Sequence, residues 1–314
     1  MGTSNNSILQ PSTLFLTGIP GLETWHAWIS IPFCFLYFLA IIGNIVILIV
    51  IEREHSLREP MYLFLSMLAI SELGISLSTV PTVLSVLLFD LREIKIDACL
   101  AQIFFIHCFS IMDSGVLLAM AFDRFVAIYN PLQYNLILTG PRIGLLGLVI
   151  TMRSVLLMAP FPFLLKRLPF CKANVLAHSY CLHPDLIQLP CADTRINSFY
   201  GLFVVISTFG LDSFCIVLSY VMILKTVLSI ASMEESHKAL NTCVSHFSAV
   251  LIYYVPMISL SMMHRFGKHA SPLVHILMAN IYLSVPPVLN PIIYSIRTKQ
   301  IRRGISRMLG LKRA

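Results

Sequence analysis

The chain has 314 residues, 57 % of them hydrophobic and 12 % charged, with a mean hydropathy of +0.82. Soluble domains carry about 25 % charged residues, and a soluble surface this apolar would expose large patches and aggregate, so a water-soluble globular protein is excluded. The net charge of +7 does not point to nucleic acid: the basic residues lie in short loops and one tail, with no zinc-finger spacing, glycine-rich phosphate loop or basic-aromatic surface.

Residues 1–20 hold no Lys or Arg, so no cleavable signal peptide is expected and the first apolar run serves as signal anchor. Asn5-Asn6-Ser7 is a glycosylation sequon with Asn5 as acceptor. A membrane helix needs about 20 apolar residues. Seven runs qualify in chain order: 28–51, 61–89, 99–128, 143–165, 198–228, 239–263 and 272–296. The expected fold is all-α, a single seven-transmembrane bundle over the whole chain. Residues 297–314 form a tail in which Ile301, Ile305, Met308 and Leu309 keep helical spacing, with Arg302, Arg303 and Arg307 between them. That pattern reads as an interfacial amphipathic helix drawn to anionic membrane lipid.

An odd number of spans puts the termini on opposite sides, and the positive-inside rule orients them. With the C-terminus in the cytoplasm, the inner segments hold thirteen basic residues and the outer segments eight, while Arg153 lies within a span. The N-terminus is therefore read as extracellular, at the plasma membrane. Cys99, Cys171, Cys181 and Cys191 then fall in or beside outer loops, where oxidation is possible.

Charged groups inside a span cost roughly 2.5–3.5 kcal/mol each on insertion scales, so each needs a reason. Glu72, Asp113, Arg153 and Asp212 are such groups. Arg153 and Asp212 are expected to form an ion pair between the fourth and fifth spans; the competing reading has Arg153 snorkel or bond backbone carbonyls.

Five motifs in order are specific. Gly43-Asn44 lies in the first span and Pro60-Met61-Tyr62-Leu63-Phe64-Leu65 opens the second. Met120-Ala121-Phe122-Asp123-Arg124-Phe125-Val126-Ala127-Ile128-Tyr129 ends the third, with Phe125 and Tyr129 in place of the usual Tyr and Cys. Lys238-Ala239-Leu240-Asn241-Thr242-Cys243-Val244-Ser245-His246 opens the sixth, and Asn290-Pro291-Ile292-Ile293-Tyr294 ends the seventh. Together they resemble the odorant receptors among rhodopsin-like G-protein-coupled receptors, from about Phe15 to the tail. His178-Ser179-Tyr180-Cys181-Leu182-His183 and Met263-His264-Arg265-Phe266-Gly267 resemble the fish-like class I branch, family 51 in particular.

The resemblance implies a receptor that binds a small odorant, leaning toward carboxylic acids and other polar molecules, and activates a Gs/olf-type heterotrimeric G protein to raise cyclic AMP. It implies disulfides Cys99–Cys181 and Cys171–Cys191. It makes Asp123 and Arg124 the cytoplasmic switch, with Arg124 restrained when inactive, and Asn290, Pro291 and Tyr294 the relay to it. Glu72 and Asp113 stand where the family has Asp and a longer Glu, so the two acids have traded places. They are expected to face each other near Asn44, where they bind a sodium ion, share one proton, or form a merely structural pair. Arg265 is the candidate carboxylate clamp, since a guanidinium makes two parallel hydrogen bonds. His107 and His183 match positions near the family's pocket. Ser261, one turn before Arg265, offers a further donor. Met158, Phe161, Gly201 and Val205 are candidate apolar lining, with core packing as the alternative. Pro184 brings no donor where a polar side chain would add a contact.

Other functions fit less well. No protease or hydrolase motif is present, so an enzyme is not expected, nor a cofactor apart from sodium. Residues 272–296 contain no lysine for a retinal Schiff base, and Ile106 stands where an amine receptor has its aspartate. The alternatives are a receptor of the same fold for an endogenous metabolite outside the nose and, remotely, a channel or transporter, which would show repeated halves.

Overall fold

The structure, a computed structural model, describes residues 12–170, 174–230, 232–266 and 271–310, without the side chains of residues 55, 235, 237–239, 242, 265, 266 and 272. Among the described residues, seven helices are long and apolar enough to cross a membrane. The first three are His26–Arg53, Pro60–Leu88 and Ile96–Tyr129. The fourth is Gly140–Met158 continued by Pro160–Lys166, and the fifth runs Arg195–Leu228. The sixth and seventh are Met233–Phe266 and Pro272–Arg297, and a tail helix, Lys299–Met308, follows. The expected runs fall along these helices, with 61–89 ending one residue beyond Leu88, and proline in the first turn starts the second, fourth and seventh, where its missing N–H costs nothing. The third helix is the most buried and forms the axis of the bundle. Phe109 of this helix lies where a Cβ at Gly74 of the second would be, so glycine sets how closely the two approach.

Two helices depart from straight runs. The fourth breaks at Ala159, ahead of Pro160 and Pro162. The fifth contains a π-helical turn, Ile206–Gly210. Such a turn inserts one residue and rotates everything after it by about 100°. Asp212 follows it and is turned into the bundle, 1 % exposed.

A three-stranded sheet, outside the all-α expectation, caps one end. β1 (Thr13–Leu16) pairs antiparallel with β2 (Glu93–Lys95) and parallel with β3 (Val175–Leu176). Leu14 and Leu16 are buried beneath it, while Phe15 between them is exposed, the period-two alternation of a strand. At the same end Cys99 is bonded to Cys181, tying the third helix to the loop after the fourth. Gln102 accepts from the Cys181 N–H (2.8 Å) and donates to the Ser78 carbonyl (2.8 Å), so that loop is fastened to two helices. Cys191 is also disulfide-bonded; its expected partner Cys171, like Asn5, lies outside the described residues.

The opposite end carries the tail helix. Much of its apolar face packs on the bundle: Ile301 is fully buried, and Ile305 and Met308 pack on the core. Val50 of the first helix would meet a Cβ at Gly304 at 2.5 Å, so glycine permits this seating. Arg307 fixes it by bonding Glu54 at 2.8 Å. Leu309 alone of the expected apolar positions is exposed.

Candidate functional site

Near the sheet end a cavity of about 470 Å³ opens between the third to seventh helices and the four-residue helix His183–Leu186 of the loop. His107, Met158, Phe161, His183, Gly201, Val205 and Ser261 all line it, and so does Pro184. The Phe161 ring stands edge-on to His183, centroids 4.6 Å apart. A Cβ at Gly201 would touch the same imidazole at 3.4 Å, so glycine leaves the wall open there. Burial, and then nearby His107, lower the His183 imidazole to about 3, which leaves it neutral at physiological pH. The walls are apolar with a few convergent polar groups, the general form of a small-molecule site. Arg265 lies in the last turn of the sixth helix, and its side chain is outside the described residues.

The cavity also includes residues that the sequence reading passed over: His264, Gln188, Ser198 and Tyr282. His264 carried a usable signal. It stands three residues after Ser261, so a helix puts both on one face.

Behind the cavity, Arg153 donates two parallel hydrogen bonds to Asp212, at 2.8 and 2.6 Å. Ser114 of the third helix donates to the same carboxylate at 2.8 Å and meets the Tyr254 hydroxyl of the sixth at 2.8 Å. The pair therefore joins four helices, two more than the sequence suggested.

Deeper, Glu72 and Asp113 are engaged through neighbouring residues of the second helix. Ser71 donates to Asp113, and Glu72 accepts from the Asn290 amide. Glu72 Oε2, Asp113 Oδ2 and Asn290 Oδ1 are buried without a hydrogen-bond partner. Asn44 donates to the Pro287 carbonyl at 3.0 Å, four residues before Pro291, whose missing N–H leaves that carbonyl free. Pro291 also lies 3.0 Å from where a Cβ at Gly43 would be. Gly43-Asn44 thus makes room for the Pro291 ring and satisfies the carbonyl that it leaves free. Among the described residues no group of three His, Cys, Asp or Glu could hold a metal. Sodium takes carboxylate, amide and hydroxyl oxygens, and the unpartnered oxygens here suit such an ion.

At the tail end Asp123 is fully buried and accepts from Arg124 at 2.9 and 2.5 Å and from the Tyr134 hydroxyl at 2.7 Å. Arg124 is thereby folded back on its neighbour. His246 bonds the Tyr220 hydroxyl at 2.7 Å and the Leu117 carbonyl at 3.0 Å, linking the third, fifth and sixth helices. Tyr294 is buried with an unpartnered hydroxyl.

The family model for olfactory receptors matches residues 33–312. Human olfactory receptor 51G2 is 59 % identical over 306 residues, covering 98 % of this chain and 97 % of its own. Human olfactory receptor 51I2 is 58 % identical, covering 98 % of both chains. Human olfactory receptor 51L1 is 58 % identical across 100 % of this chain and 99 % of its own.

Proposed function

The chain belongs to the olfactory receptor family of G-protein-coupled receptors, which are not enzymes, and from that premise we propose that it recognises small carboxylic acids or related polar odorants in the cavity beneath the sheet and signals through a Gs/olf-type protein to cyclic AMP. The observation that carries this is the lining: His107, His183 and Ser261 supply polar contacts within an apolar wall, at the end where the sixth helix carries Arg265. Arg265 supplies the clamp for the acid group. Met158, Phe161, Gly201 and Val205 receive the chain.

The sheet end faces the outside of the plasma membrane. Its disulfide suits an oxidising compartment, and the basic tail suits the cytoplasm. Asp123 with Tyr134 restrains Arg124 in the unliganded receptor. A ligand that binds the active state better shifts the population, moves the sixth helix and frees Arg124 for the G protein, with Asn290, Pro291 and Tyr294 relaying the change. Glu72 and Asp113 hold a sodium ion or one shared proton beside that relay.

The test is cyclic AMP in cells carrying an olfactory G protein, across straight-chain carboxylic acids, at matched surface expression. A response that Arg265→Ala abolishes supports the clamp. A response that survives removes Arg265 as the anchor, and silence to every acid moves the search to neutral odorants.

A further inference from the structure

The loop beside the cavity carries an acid, although Asp185 is not itself part of the lining. Asp185 lies in the short loop helix His183–Leu186, and two imidazoles face its carboxylate from different elements. His178 Nε2, from the same loop, is 3.1 Å from Asp185 Oδ2, and His264 Nε2, from the last turns of the sixth helix, is 3.7 Å from Oδ1. The Asp185, His178 and His264 side chains are 19, 4 and 12 % exposed. Tyr180 and His183 are the other titratable groups of the loop beside Asp185. From the seventh helix, the His275 ring stands edge-on to His264 at 5.4 Å. Burial acts to raise the Asp185 carboxyl, and the two imidazoles outweigh it, holding it well below the usual carboxylate range.

The two contacts are unequal. The shorter anchors Asp185 within its own loop. The longer exceeds hydrogen-bond length, so it attracts only through the charge of a protonated His264. His264 Nδ1 is 2.9 Å from the Leu260 carbonyl, so this nitrogen carries a proton. A second proton on Nε2 makes the ring an imidazolium, and only then does Nε2 attract Asp185; a bare Nε2 would turn its lone pair toward the carboxylate. His264 also lines the cavity. The loop thus presents a negative charge to a cavity-lining side chain from just outside the space where a ligand's acid group would sit.

We infer that Asp185 is a built-in counter-ion, occupying His264 while the cavity is empty and yielding it to the acid group of the ligand. This rests on the reading of the cavity as a site for acids. Asp185 then sets the threshold for acidic ligands: each must displace a tethered carboxylate and sit beside its charge, whereas a neutral molecule of the same length does neither. The loose 3.7 Å contact makes the exchange feasible.

Asp185→Asn keeps the shape and removes the charge. The concentration of a carboxylic acid giving half-maximal cyclic AMP is expected to fall about tenfold, while that of the alcohol of equal length stays put and Asp185→Glu behaves as wild type. Acid and alcohol curves moving together, or the acid curve moving to higher concentration, would overturn the inference. A second readout needs no odorant: labelling of Ser261→Cys on intact cells by a sulfonate-bearing thiol reagent and by a neutral one, with Ser261-intact receptor correcting for the chain's other cysteines. Asp185→Asn should speed the anionic reagent about tenfold and leave the neutral one unchanged; equal effects on both would overturn it. A wild type silent to every acid would remove the acid reading, and the labelling ratio would still decide the role of Asp185. Should Asp185→Asn not reach the surface, His264→Gln serves: it removes the cavity-side imidazole and leaves the carboxylate to His178 alone, which should slow the anionic reagent selectively, and no selective change would count against the inference.

Discussion

Two acidic clusters lie inside this bundle, and they are built on opposite plans. Asp212 receives two bonds from Arg153 and a third from Ser114, leaving Arg153 Nε as the one unpartnered atom of the pair. Glu72 and Asp113 have neutral donors only, Asn290 and Ser71, and each keeps an unpartnered buried oxygen. The first cluster is electrically complete and joins helices. The second lacks a positive charge among its described contacts, so it calls for a proton or a cation. A charge inside a membrane therefore does not by itself mark a switch; what distinguishes the two clusters is whether the counter-charge is built in.

The largest effect should come from breaking the complete cluster. Arg153→Ala strands the buried Asp212 and should cost about 3–5 kcal/mol, read as loss of surface expression and of thermal stability in detergent. Replacing both residues by Leu should recover most of that loss, because the uncompensated charge goes too; a double variant as poor as the single one would show that the pair does more than neutralise itself.

The incomplete cluster should respond more mildly. Glu72→Gln should leave the receptor folded and remove any sodium dependence of the ligand response, a change of roughly fivefold in half-maximal concentration. An unaltered response with unaltered sodium dependence would reduce Glu72 and Asp113 to a structural pair. Smaller still, Tyr134→Phe removes one bond to buried Asp123, worth about 1 kcal/mol, and should raise cyclic AMP without ligand at matched surface expression. A fall or no change would free Tyr134 from restraining Arg124.

The spans were legible because hydrophobic length is a one-dimensional property, and the Asn290-Pro291 and Asp123-Arg124 motifs because their residues are contiguous. The cavity lining was reached through resemblance to a family, since His107, Phe161 and Ser261 come from three helices with no shared local signal. The π turn at Ile206–Gly210 was not legible: no proline or glycine pattern distinguishes it from regular helix, yet it turns Asp212 inward. The sheet escaped because its strands are four, three and two residues long, too short for alternation to show against apolar neighbours. Tyr134 and Asp185 were missed for a common reason: each sits in a loop and acts on a residue brought near only by the fold.

If the odorant binds in the cavity beneath the sheet, Gly201 gives the most direct access to it. Gly201→Phe places a ring beside His183 and shortens the cavity without touching any charged group. With surface expression matched, cyclic AMP would be measured across carboxylic acids of increasing chain length in wild type and variant. The longest acids should lose their response while the shortest keep it. An unchanged chain-length profile would contradict binding in this cavity and place the ligand elsewhere in the bundle.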